Sequence, residues 1–301
     1  MQISGKYLAA GFTAGLLCLF IPLLRNFHWE SAALAGIIIA IVSGYWAAKG
    51  SKSPLSIFKK VLFLLVPWAF PLFISDLITG CYTIHGLGFW ILIPLPSALF
   101  GLALGRLMLQ MQLKYPVLIT ILILMVISTA PVLVIFLHNP QLFFFNHIWG
   151  YWPGPIYDEA VHLPGRLLLF RSATICWIFI LWFIPTVKEE IFSRIISGLA
   201  FIYLIFFYAN LSHFGIIMPE QKIQETLGQV YQTDHFKIFY GNHSLTDDTL
   251  QAIGKLHQQY LHEITEKLDI KREVYITKPI HSYIYKDARQ KKRLTGAGQT
   301  S

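Results

Sequence analysis

Seven runs of nearly continuous apolar residues occupy the first two-thirds of the chain, at 7–24, 31–48, 61–78, 86–107, 116–137, 167–187 and 195–212. At about 1.5 Å of rise per helical residue, each is long enough to cross roughly 30 Å of hydrocarbon. Beyond residue 213 the pattern changes. Residues 232–240 alternate Phe236, Ile238 and Tyr240 against Lys237 and Phe239, as a strand with one buried face does. Leu250, Ile253, Leu256, Tyr260, Leu261, Ile264 and Leu268 then recur at helical spacing, with Ser244 or Thr246 placed to cap the helix. Residues 273–285 read as a second strand with Pro279 at a break or an edge, and residues 286–294 as a short basic helix or turn. The expected fold is a multi-pass α-helical membrane protein of about seven transmembrane helices with a small α+β C-terminal domain. Its parts are a bundle at 1–213 with a long outer loop at 138–165, a juxtamembrane linker at 214–228 and the α+β portion at 229–301.

Within the bundle, the first run ends in Pro22-Leu-Leu-Arg25 and more spans follow, so it reads as a retained span rather than a cleaved leader. Pro67 and Pro71 in the third run each remove a backbone donor, and neighbouring groups must satisfy the carbonyls they free. Pro94 and Pro96 stand in the fourth run, followed by Gly101-Leu-Ala-Leu-Gly105, a small-xxx-small spacing that allows close helix approach.

Composition agrees with the membrane class: 55% of the 301 residues are hydrophobic and 13% charged, against about 25% charged in soluble domains. The net charge of +8 does not point to nucleic acid. Twelve of the 24 Lys and Arg precede Pro219, mostly in short caps between apolar runs, and the other twelve face ten Asp and Glu, which leaves that segment at +2. Cys18, Cys81 and Cys176 all lie in or beside apolar runs, so the polar tail can build neither a disulfide framework nor a Cys-based zinc site. Alternate connections hold nine Lys and Arg on the N-terminal side (Lys6, Lys49, Lys52, Lys59, Lys60, Arg106, Lys114, Lys188, Arg194) against three on the other (Arg25, Arg166, Arg171). This bias predicts a cytoplasmic N-terminus in the cell membrane, and seven spans then place the loop at 138–165 and the C-terminal domain on the extracytoplasmic side.

That loop is rich in aromatics suited to the headgroup belt, and its Trp152-Pro-Gly-Pro run enforces turns. Asp158-Glu159-x-x-His162 follows. On a helix, Asp158 and His162 lie one turn apart and can share a metal, with Glu159 as a base; equally, acidic residues after prolines cap a helix N-terminus. Both readings stand at this point. Asp76, at the outer end of the third run, is placed either to join such a site or to reach water.

In the tail, Thr233-Asp-His-Phe-Lys-Ile-Phe-Tyr240, the helix through Tyr260-Leu-His-Glu-Ile-Thr-Glu266, and Ser282-Tyr-Ile-Tyr-Lys-Asp287 with Lys291-Lys-Arg-Leu-Thr-Gly-Ala297 resemble the opening of a peptidase MA-like, gluzincin-type zinc metallopeptidase domain. The resemblance covers residues 232–301. It implies a further strand and an HExxH helix with two His ligands and a Glu base, zinc as the cofactor, and a peptide or protein substrate. No HExxH occurs in this sequence. The nearest string, His262-Glu263-Ile-Thr-Glu266, has Glu where the second His belongs and falls in the earlier helix. The chain is therefore expected to be part of a longer, membrane-anchored peptidase-like protein and to be inactive as it stands, with no catalytic residue assigned. A non-enzymatic membrane sensor or scaffold is the alternative. A transporter is the third reading, suggested by the proline-broken runs. His257 and His262 are expected as surface histidines, and His235 and His281 as satisfied strand histidines.

Overall fold

The computed structural model describes residues 2–50, 53–81, 84–154, 161–187, 189–241, 245–268 and 278–297. The chain forms two compact units, one of Met1–Leu137, Phe143–Pro153 and Asp158–Ile217, the other of His138–Leu142, Gly154–Tyr157 and Met218–Ser301.

The first unit contains α1 (Gln2–Leu19), α2 (Trp29–Ala48), α3 (Pro54–Thr79), α4 (Ile84–Leu92), α5 (Pro94–Gln110), α6 (Pro116–His138), α7 (Gly165–Phe183), which ends in a 3-10 turn, and α8 (Ile191–Ala209). Among the described residues, six stretches are long and apolar enough to cross a membrane: α2, α3, α4 with α5, α6, α7 with its turn, and α8. The chain is a helical membrane protein. The apolar part of α1, Gly5–Leu19, is shorter than those six. It lies along α3, where an added Cβ at Gly11 or Gly15 would collide with the Leu64 or Trp68 carbonyl oxygen, and Trp68 donates its indole N–H to Cys18 Sγ at 3.4 Å.

The tightest seam joins α2 to α5. A Cβ at Gly101 or Gly105 would strike the Ala40 or Gly44 carbonyl oxygen, and Ser43 Oγ donates across the seam to Ala98 O at 2.8 Å. The Gly101-to-Gly105 spacing thus serves close packing, the outcome that small residues permit between helices in lipid, where no hydrophobic force holds them. The fourth apolar run divides at Ile93 into α4 and α5, because Pro94 and Pro96 cannot continue the amide ladder of α4. In contrast, α3 continues through Pro67 and Pro71.

Between α6 and α7 the chain makes a short antiparallel hairpin, β1 (Phe144–Asn146) and β2 (Gly150–Trp152), with Phe145 opposite Tyr151. Of the aromatics expected at a headgroup belt, Phe143, Phe144, Phe145 and Tyr151 are buried, Trp149 is half-buried and Trp152 is exposed. Aromatic composition does not distinguish the two fates, since both reward a large apolar ring.

In the second unit, α9 (Glu220–Leu227), β3 (Gly228–Gln232), β4 (Phe236–Gly241), α10 (Asp247–Lys267), β5 (Ile280–Ile284) and α11 (Ala288–Thr295) follow in order. The sheet order is β3-β4-β5, antiparallel between β3 and β4 and parallel between β4 and β5. Gly228, at φ +81, ends α9 and starts β3. Thr246 caps α10 by accepting from Thr249 N, and Asp287 caps α11 by accepting from Gln290 N at 2.7 Å. The expected strand at 232–240 is two strands, with Gln232 closing β3 and Phe236 opening β4. On α10, Leu250 is buried, but Leu256, Tyr260, Ile264 and Leu268 are exposed. Within this unit, Leu142 N donates to Thr295 O at 2.7 Å, and Gln141 Oε1 accepts from Met218 N.

Candidate functional site

The polar chemistry of the first unit converges on the β1–β2 hairpin. A turn with exposed peptide groups is tolerated beside membrane helices only where protein groups satisfy it. Three devices do so. Arg171 of α7, fully buried, donates Nη1 to His147 O at 2.8 Å and to Asn146 O at 3.4 Å, and Nη2 to Ile93 O at 3.5 Å. Ser97 Oγ lies between Ile93 O, at 2.6 Å, and Ile148 O. Gly150, at φ +86, has no room for a Cβ, which would sit 2.9 Å from Arg171 Nη2.

The third device runs the other way, from hairpin to helix. Pro131 in α6 has no N–H, which leaves the Ile127 carbonyl four residues earlier without its helical donor. Asn146 Nδ2 donates to Ile127 O at 2.8 Å and to Ser128 O at 3.2 Å, and Trp149 Nε1 also donates to Ser128 O, at 3.0 Å. Asn146 Oδ1 accepts from Ile148 N at 2.8 Å and closes the turn.

His147 is sandwiched between the Phe100 and Phe170 rings, with centroids at 6.0 and 4.7 Å. Its Nδ1 is 2.9 Å from Thr174 Oγ1 and its Nε2 is 2.8 Å from Tyr208 OH. Thr174 directs its own proton to Phe170 O at 3.3 Å, so it accepts from His147 Nδ1–H, and Nε2 then accepts the Tyr208 proton. Trp177 Nε1 in turn donates to the Tyr208 oxygen at 3.0 Å. Burial first, and the Arg171 charge second, hold the His147 imidazole well below its usual pKa, so it is neutral in this chain of bonds.

These groups stand at the wall of an apolar cavity of about 530 Å³ between α5, α6, α7 and α8, within the size range of small-molecule sites. Asn146, His147 and Tyr208 supply its polar side chains; Phe100, Ile127, Pro131 and Leu181 typify the rest. Sequence reasoning treated Arg171 as a topology charge and did not single out Asn146, His147, Pro131 or Tyr208. The signals available were a proline inside the fifth run and an arginine one turn inside the sixth.

Of the outer-loop candidates, Asp158 and Glu159 lie outside the described residues. His162 is exposed, with its ring 4.7 Å from that of His85, whose Nδ1 accepts from Leu163 N at 3.3 Å. Asp76 is buried and accepts from Phe27 N at 2.9 Å, rather than reaching water.

In the second unit, His262 and Glu266 are exposed on α10, while Glu263 accepts from Gln259 Nε2. Among the described residues no three His, Cys, Asp or Glu side chains come together as metal ligands. His257, expected at the surface, is half-buried against Phe236, donating Nδ1–H to Ile253 O at 2.9 Å and receiving Ser282 Oγ at Nε2 at 3.0 Å. His235 pairs with Gln258 Oε1 at 3.0 Å. His281 and Tyr283 both bond Glu220 Oε1, and those two bonds hold the Glu220 carboxyl below its ordinary range. This cluster ties α9 to β5.

The chain matches no family model, no curated protein sequence and no solved structure.

Proposed function

We propose that this chain is an integral protein of the cell membrane that anchors a peptidase MA-like module on the extracytoplasmic side, its N-terminus cytoplasmic and α1 counted as the first of seven spans. The observation that carries the reading is the antiparallel hairpin β3–β4 joined through α10 to a parallel β5, a strand–helix–strand opening on the segment whose sequence resembles that family. The bond from Leu142 N to Thr295 O supports a common face for residues His138–Leu142 and the C-terminal residues, as the two spans α7 and α8 between them require. The module carries no catalytic set in this sequence, and no chemical step is assigned to it.

Orientation is tested with Lys255→Cys, an exposed site on α10, in a background free of Cys18, Cys81 and Cys176. A membrane-impermeant maleimide should label it in intact cells; labelling only after permeabilisation would overturn export. For the module itself, the gene product read through any codons beyond Ser301 is assayed on a peptide library. Metal-dependent cleavage, lost when an HExxH Glu is changed to Gln, carries the peptidase reading, and a product without HExxH sinks it.

A non-enzymatic sensor is the second reading, favoured by the ligand-sized cavity beside His147. There the bundle would do more than anchor.

A further inference from the structure

The cavity beside the hairpin has an unusual hydrogen-bonding balance. Every polar proton on its wall is already committed. Both Asn146 N–H groups go to the Ile127 and Ser128 carbonyls, Trp177 N–H goes to Tyr208, Tyr208 O–H to His147 Nε2, and His147 Nδ1–H to Thr174. What remains is acceptor capacity, one lone pair on Asn146 Oδ1 and one on the Tyr208 oxygen. An occupant that adds a hydrogen bond here must therefore donate it. A carboxylate or phosphate head would find no free N–H or O–H on this wall to accept from.

Shape narrows the choice further. The α6 residues on the wall run from Ile123 to Ile135, twelve residues or roughly 18 Å along the helix axis. They recur at Ile123, Ile127, Pro131, Val134 and Ile135, which is one face of the helix. That face is the one α6 would ordinarily pack on a neighbour, yet only Thr120 and Leu124 of α6 are buried. Left empty, an apolar space of about 530 Å³ deprives its lining of dispersion contacts. The medium around membrane-spanning helices is hydrocarbon, so an alkyl chain is the filler at hand.

We propose that this cavity binds a neutral, single-chain lipid with a hydroxyl head, of the monoacylglycerol type, its tail along α6 and its hydroxyl donating to the Tyr208 oxygen. The site is independent of the peptidase-like module, and its test is independent of any cleavage assay.

The test uses the full chain in nanodiscs and three photo-crosslinking lipids with the same tail: a monoacylglycerol, its di-O-methyl ether and the free fatty acid. The monoacylglycerol should label peptides of α6 and α7, about five-fold above the ether, the ratio one neutral hydrogen bond supplies. The fatty acid should label no better than the ether. Filling the space by Ile123→Trp or by Val134→Trp should abolish labelling, and two variants at opposite ends guard against one that fails to fold. Tyr208→Phe should bring the monoacylglycerol down to the level of the ether. Equal labelling by all three lipids would overturn the head-group assignment, preferential labelling by the fatty acid would replace it with an anionic ligand, and labelling that survives both Trp variants would overturn the site.

Discussion

The α2–α5 seam and the α6 wall are built from equally apolar helices and end in opposite states. At the seam, Gly36, Ala40 and Gly44 meet Ser97, Gly101 and Gly105, and backbones approach until no Cβ fits at the two glycines of α5. Along α6, branched Ile, Val and Leu side chains leave most of the helix exposed and one stripe facing open space. In hydrocarbon, apolarity cannot hold helices together, since lipid tails are as apolar as leucine. Side-chain size and polar bonds decide which surfaces close. The seam closes by size; α6 is held by the bonds from Asn146 and Trp149.

The largest break in this comparison is expected from Gly101→Leu, whose side chain meets the Ala40 backbone rather than a movable side chain. It should cost about 3 kcal/mol or more and appear as loss of the monodisperse peak on size exclusion. Arg171→Met comes next. It leaves the His147 and Asn146 carbonyls buried without their donor, at about 1–3 kcal/mol for each unsatisfied group, read as a lowered Tm in nanodiscs. Asn146→Ala should cost about 1–3 kcal/mol by stripping the Ile127 carbonyl. The same change made on Pro131→Ala, where residue 131 regains an N–H, should cost measurably less; equal costs in the two backgrounds would refute the link between this asparagine and this proline.

Acid supplies a milder probe. His147 has a folded pKa below its unfolded value near 6.5, so below about pH 6.5 the unfolded chain binds a proton that the folded chain refuses. Stability from this group is therefore complete above pH 6.5 and falls with acidification. Tm should drop between pH 7 and pH 5, and His147→Leu should flatten that slope. The smallest effect is expected from Ile127→Phe, which adds volume as Gly101→Leu does but into the cavity; it should stay within about 1 kcal/mol of wild type.

Much of this architecture is legible in the residues. The six long helices coincide with apolar runs, Gly101 and Gly105 mark the tight seam, and Thr246 starts α10 where its spacing begins. The hairpin is not legible, for physical reasons. Strands of three residues are too short for alternation to show, and Phe143 to Tyr151 look the same whether rings face headgroups or a core. Its partners are distant in sequence: Ser97 lies 51 residues from Ile148, and Arg171 lies 24 from His147. Arg171 also sits where a topology charge would, one turn inside its helix, and Asp76 where a span-end carboxylate would. Only tertiary contact separates these roles. In the second unit, β3 escaped because Gly228 reads as a linker residue, although its positive φ makes a helix stop and a strand start in one position.

The bond between Asn146 and the Ile127 carbonyl bears on biogenesis. Synthesis delivers α6 with a gap at Pro131, and the group that fills it in the folded chain lies fifteen residues downstream of that proline, past the helix end. When α6 first leaves the insertion machinery it is provisional, carrying a raw carbonyl in hydrocarbon. It becomes permanent only when the ribosome has made the hairpin and the hairpin has turned back. The order of assembly is thus written into the chain: α6 waits for its successor, and a ribosome stalled before Asn146 leaves a helix the membrane has admitted but the protein has not yet claimed.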